Sequence, residues 1–102
     1  MEGTTLSNRY GVTLTGNWQI PSVGTPGPIQ STSTANDMGY LSTNGKTAAG
    51  SVVVEEAVDA CDVGQLWDRS ANDDSGFFNL KNPNSGLFLT MKTANTLTIG
   101  NA

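Results

Sequence analysis

The residues best suited to chemistry are acidic and crowd into one stretch. Of nine carboxylates, seven (Glu55, Glu56, Asp59, Asp62, Asp68, Asp73 and Asp74) fall between positions 55 and 74. Alternating oxygen donors suit calcium, and Asp68, Ser70, Asn72 and Asp74 alternate in this way. The EF-hand spacing fails. Its sixth position holds Asp73 where the turn needs glycine, and its twelfth holds Asn79 where a bidentate glutamate belongs. A solvated acidic loop explains the cluster more simply. No cofactor is expected, and Asp68, Asn72 and Asp74 are the weak calcium candidates. Paired carboxylates can hydrolyse glycosides, but nothing in the sequence sets the separation of any pair, and a chain of 102 residues seldom forms a deep cleft. The absence of histidine removes His-based triads, Cys–His dyads and His metal ligands. Cys61, the single cysteine, sits beside Asp62, whose charge disfavours a thiolate, so it reads as an inert thiol. No enzyme activity is expected.

The wider composition narrows the partners. The net charge is -4, and the five cations (Arg9, Lys46, Arg69, Lys81, Lys92) are scattered. No basic patch exists to neutralise phosphates, which argues against nucleic acid. No stretch is long and apolar enough to insert into a membrane. One cysteine allows no intrachain disulfide, so packing must hold the fold. Met1–Thr5 has neither a cationic start nor an apolar run. The expectation is a cytoplasmic protein, or one secreted without a signal peptide.

The elements that must position these residues read as strands. Ser, Thr, Asn and Gly are abundant, and long helix formers are scarce, which favours a single turn-rich all-β domain over residues 1–102. Residues 6–15 read as a hairpin in which Val12 and Leu14 alternate with Thr13 and Thr15. Trp18-Gln19-Ile20 follows as a strand. Pro21, Pro26 and Pro28, with Gly24 and Gly27, make residues 21–28 a loop. Residues 29–37 are weak strand or loop, and 38–43 a strand closed by the hairpin dipeptide Asn44-Gly45. Residues 51–55 form the clearest β-branched strand, and 55–62 have room for a helical turn. Residues 65–67 read as a strand, 68–75 as a polar loop, and 77–82, 87–92 and 96–99 as three strands.

Internal repeats cut across this order. Gly11-Val12-Thr13-Leu14-Thr15 and Gly86-Leu87-Phe88-Leu89-Thr90 share Gly-x-x-Leu-Thr, and Gly39–Thr43 is a looser copy. A Leu-x-Asn precedes the first two, at Leu6-Ser7-Asn8 and Leu80-Lys81-Asn82. Trp18 and Trp67 stand at similar distances before Leu41 and Leu89. Three related hairpins separated by aromatic strands predict a pseudo-threefold all-β fold.

Gln65-Leu66-Trp67 is a Gln-x-Trp, followed by Gly76-Phe77-Phe78-x-Leu80-x-Asn82 and Ser85-Gly86-Leu87-Phe88-Leu89. That order resembles the ricin-type β-trefoil lectins, especially their fungal members. It covers residues 38–100 well and 1–37 poorly. The resemblance implies a compact β-trefoil-like fold with trimmed first and last lobes. It also implies a non-catalytic lectin that holds glycans or glycoproteins at shallow lobe sites. Gln65 and Trp67 would be structural: Trp67 a packing anchor, Gln65 a partner for backbone groups left unpaired where a lobe closes.

The family's sugar-gripping set is incomplete here. It places an Asp after the lobe-opening Leu, whereas Thr15, Ser42 and Thr90 follow Leu14, Leu41 and Leu89. Gly64 precedes Gln65 where an Asn or Gln would assist, and the expected aromatic position falls near Glu56-Ala57. The nearest polar candidates for carbohydrate are Asn44 and Asp62. Two other functions compete. One is a protein-interaction module such as a protease inhibitor, presenting loops 21–28 and 68–76. The other is a self-assembling structural subunit, a homo-oligomer built through an open strand edge at Thr96–Ile99.

Overall fold

A computed structural model describes residues 3–32 and 39–101. Eight strands run through it: β1 (Trp18–Gln19), β2 (Gln30–Ser31), β3 (Tyr40–Ser42), β4 (Val52–Glu56), β5 (Asp68–Arg69), β6 (Leu80–Asn82), β7 (Leu87–Thr93) and β8 (Thr96–Gly100). One short 3-10 turn, Val63–Gln65, is the helical exception. The chain is all-β. Among the described residues no helix is long and apolar enough to cross a membrane.

The strands form one antiparallel sheet in the order β1-β2-β3-β4-β8-β7-β6-β5, curled into a half-barrel. The curl brings the two ends of the sheet together. Gly27, just before β2, and Trp67, just before β5, exchange both backbone hydrogen bonds at 2.9 Å. On the outer side of β1, Thr4 and Trp18 exchange bonds at 2.8 Å.

Alternation decides what lies inside. In β8, Leu97 and Ile99 are buried while Thr96 and Thr98 are half-exposed, and in β4 Val53 is buried between exposed Val52 and Val54. With Leu6, Leu14, Trp18, Ile29, Leu41, Trp67 and Leu80 they make one core. This is the period-2 consequence of strands with one face on the core.

Several expectations change. Thr96–Ile99 is not an open edge: β8 pairs with β4 on one side and β7 on the other, so assembly through that strand has no unpaired backbone to use. Residues 65–67 are not a strand. Asp62 accepts the Gly64 N–H at 2.8 Å and caps the 3-10 turn, and this local bond wins over extension. The tract 55–62 is not helical: β4 runs on to Glu56 against Tyr40, and the remainder holds one turn in which Asp62 N donates to Asp59 O at 3.0 Å. Asp68–Arg69 is strand rather than loop, paired with Leu80 and Lys81. Phe77 and Phe78 precede β6 instead of joining it. The Asp73 carboxylate takes the Phe77 N–H at 3.0 Å. Asn44-Gly45 turns with both φ positive, 53° and 74°, and Lys46 N donates to Thr43 O at 3.0 Å. It bends a longer connection and does not close the hairpin, since β3 and β4 pair only from Ser42 and Val54. The expectation for 29–37 falls partly on 33–38, outside the described residues.

Candidate functional site

The Gln-x-Trp pair builds the wall on which the candidate site rests. The Gln65 amide is buried and used at both ends: Oε1 accepts from Asp59 N at 2.9 Å, and Nε2 donates to Ala57 O at 2.8 Å. It thereby holds the strandless segment 57–59 against the body of the protein. Trp67 is fully buried, and its Nε1 donates to Leu41 O at 3.1 Å. The Leu41 side chain is itself buried in the core. Its neighbour Tyr40 faces the opposite side of β3.

Tyr40 opens onto a cleft of about 320 Å³ lined also by Val58, Asp59, Asp62, Val63 and Leu66. Val58, Val63 and Leu66 are exposed, and Tyr40 is half-buried. The cleft thus offers an aromatic ring, an apolar wall and two carboxylates, with no cation among its lining residues. Asp59 Oδ1 accepts the Cys61 N–H at 3.0 Å. Cys61 is exposed and lines the same cleft.

The two sequence candidates fall differently. Asp62 lines the cleft, but both of its oxygens also serve the fold: Oδ1 caps Gly64 N, and Oδ2 accepts from Ser42 Oγ at 3.4 Å. Asn44 stands outside the cleft on an exposed turn. Its N–H donates to Ser42 Oγ at 3.0 Å, so Ser42 alone links Asn44 to Asp62. Ser42, which follows Leu41, is fully buried and cannot touch a ligand in this conformation.

The remaining aromatics are committed elsewhere. Trp18 and Trp67 are core residues. All three phenylalanines carry a cation over the ring: Arg9 on Phe77 at 4.7 Å, Arg69 on Phe78 at 4.3 Å, and Lys81 on Phe88 at 6.0 Å from the centroid. Of the aromatics outside the core, only Tyr10, almost wholly exposed, and Tyr40 lack such a cap. Tyr40 and Asp59 were not singled out from the sequence. Alternation in Gly39-Tyr40-Leu41 marks Tyr40 as outward-facing, whereas nothing local marks Asp59, which is placed by Gln65.

The acidic loop does not assemble its calcium candidates. Among the described residues no three His, Cys, Asp or Glu side chains gather as a metal site. Asp68 sits in β5 opposite Lys81, and Asn72 Oδ1 accepts from Arg69 Nη2 at 3.3 Å. The organising carboxylate is Asp73, outside the proposed set. It accepts from Ser75 N at 2.9 Å and Phe77 N at 3.0 Å, and pairs with the Arg9 guanidinium. The Arg9 hydrogen bond and the two backbone donors hold its pKa below the ordinary carboxylate value.

Comparison of the chain with protein-family models, with curated proteins and with solved structures gave no match.

Proposed function

We propose that this chain is a non-catalytic carbohydrate-binding domain that holds glycans or glycoproteins at the shallow Tyr40 cleft. The observation that carries the reading is the company Tyr40 keeps. It is the one half-buried aromatic free of a cation cap, and Asp59 and Asp62 line the same cleft. A sugar needs an aromatic face for its C–H side and acceptors for its hydroxyls, and these groups supply both. Asp62, expected from the sequence, belongs to this set, and Asn44 drops from it.

A β-trefoil-like lobe arrangement is part of the proposal. Its support is the repeated use of Leu-x-Asn. Asn8 Oδ1 accepts from Tyr10 N and Val12 N, while its Nδ2 reaches Met91 O. Asn82 Oδ1 accepts from Ser85 N, while its Nδ2 reaches Val63 O and Leu66 O. In both copies one asparagine shapes its own turn and ties it to a distant carbonyl.

The exposed wall of Val58, Val63 and Leu66 favours a second reading, a protein partner docked in the same cleft. A glycan array with the wild-type protein and Tyr40→Ala separates the two. Binding to a defined sugar that disappears in the variant supports the lectin reading. A blank array with wild-type protein overturns it in favour of the protein partner.

A further inference from the structure

Building on the carbohydrate reading of the Tyr40 cleft, we infer that the cleft selects an amino sugar, a saccharide whose free amine is protonated, over its neutral counterparts. The Tyr40 ring takes the ammonium and the sugar's C–H face, and the carboxylates beside it supply the counter-charge.

The first observation is how the chain treats its other half-buried rings. Phe77, Phe78 and Phe88 are half-buried, and each lies beneath a cation, from Arg9, Arg69 and Lys81 respectively. Tyr40 is half-buried in the same way, yet no side chain of this protein supplies its cation. The five lysines and arginines of the whole sequence are Arg9, Lys46, Arg69, Lys81 and Lys92, and none of them lines the cleft. An ammonium carried in by a ligand would take the place that a side chain takes on the other rings.

The second is charge. Asp59 and Asp62 line the cleft, and Glu56 is the direct cross-strand partner of Tyr40, which sets a third carboxylate on the same face of the sheet. The donors to Asp59 and Asp62 are Cys61 N, Gly64 N and Ser42 Oγ, all neutral, so they leave the negative charge uncancelled. Nor do they exhaust the acceptors. A carboxylate has about four lone-pair sites, and these bonds use one on Asp59 and two on Asp62. An ammonium and a neighbouring hydroxyl can therefore be accepted together.

The third is size. At about 320 Å³ the cleft is near the lower end of ligand sites, which suits a single ring. Val58, Val63 and Leu66 wall it, and apolar walls strengthen the attraction between ammonium and carboxylate. A lysine side chain could place its ammonium here but has no hydroxyls for the remaining lone pairs.

The test is an amide chemical-shift titration of the full chain at low salt and about pH 6, where an amine is protonated. The ligands are D-glucosamine, D-glucose, N-acetyl-D-glucosamine and n-butylamine. Glucosamine should bind at least about fivefold more tightly than glucose or N-acetylglucosamine, and the advantage should shrink as salt rises. Butylamine, which has the charge without the ring, should bind more weakly than glucosamine. Tyr40→Ala should abolish binding of the sugars. Asp59→Asn, whose amide oxygen can still accept the Cys61 N–H, should narrow the glucosamine advantage to about twofold. Equal affinity for glucosamine and glucose, or an advantage unchanged in Asp59→Asn, overturns the inference and leaves the carbohydrate reading standing. Butylamine binding as tightly as glucosamine, or no shift at Tyr40, Asp59 and residues 62–66 with any sugar, overturns both.

Discussion

Trp67 Nε1 donates to the Leu41 carbonyl at 3.1 Å inside the core, and Trp18, its counterpart in the repeat, buries the same nitrogen without a partner among the described residues. The two indoles are both core residues but differ in what their N–H does. Trp67→Phe strips a buried carbonyl of its donor and should cost about 1–3 kcal/mol beyond the lost packing. Trp18→Phe removes a donor that has no bond to lose and should be the milder change. Urea unfolding with unchanged m-values checks the order of the two midpoints.

Asn82 is fully buried and holds three backbone groups through its amide. Asn82→Ala should destabilise by about 3 kcal/mol, because two carbonyls and one N–H lose their partner together. Asn8 is half-exposed, so water can replace its bonds, and Asn8→Ala should cost about 1 kcal/mol. Equal losses at the two positions would contradict equivalent roles in unequal burial.

Gly64 is where Ser42, Thr43 and Asp62 converge. A Cβ added there would meet Thr43 Oγ1 at 2.8 Å and Asp62 Oδ1 at 3.0 Å. Thr43 is fully buried and Asp62 is tied to the 3-10 turn, so neither yields freely. Gly64→Ala should cost about 1–3 kcal/mol and disturb the amide shifts of residues 57–66. Serial thermal melts and a fingerprint spectrum read both effects.

Asp73 gives stability a defined acid dependence. Its folded pKa lies below the unfolded value of about 3.9. Its contribution is therefore complete above that unfolded value and is lost as pH falls through the lower folded one. Asp73→Asn should flatten the part of the stability–pH curve below about pH 4, with Arg9→Gln giving a similar change. The effect should be small and should shrink with added salt, because the pair is exposed.

The core was legible because alternation survives in short strands. Leu97 and Ile99 are inward as their polar neighbours predict, whereas Val53 lies between two other valines and takes its side from its pairing with Leu97. What was illegible came from side chains competing with the ladder for backbone groups. Asp62 turns the Gln-x-Trp segment into a 3-10 turn, and Asp73 holds the Phe77 N–H out of β6. Asp68–Arg69 hid as a strand because neither residue has β character. Its partners in β6 supply the pairing, from ten or more positions away. The same split applies to the site. Asp62 was readable from its spacing to Gln65, and Tyr40 from alternation. Asp59 is brought in by the Gln65 amide.

The most direct measurement is an amide chemical-shift titration of the wild-type chain and Tyr40→Ala with glucose, galactose, mannose and N-acetylglucosamine in turn. Saturable shifts at Tyr40, Asp59 and residues 62–66 with at least one of these sugars, lost in the variant, are the predicted result. Spectra that no sugar perturbs in that segment, or shifts there that persist without the Tyr40 ring, would contradict carbohydrate binding at this cleft.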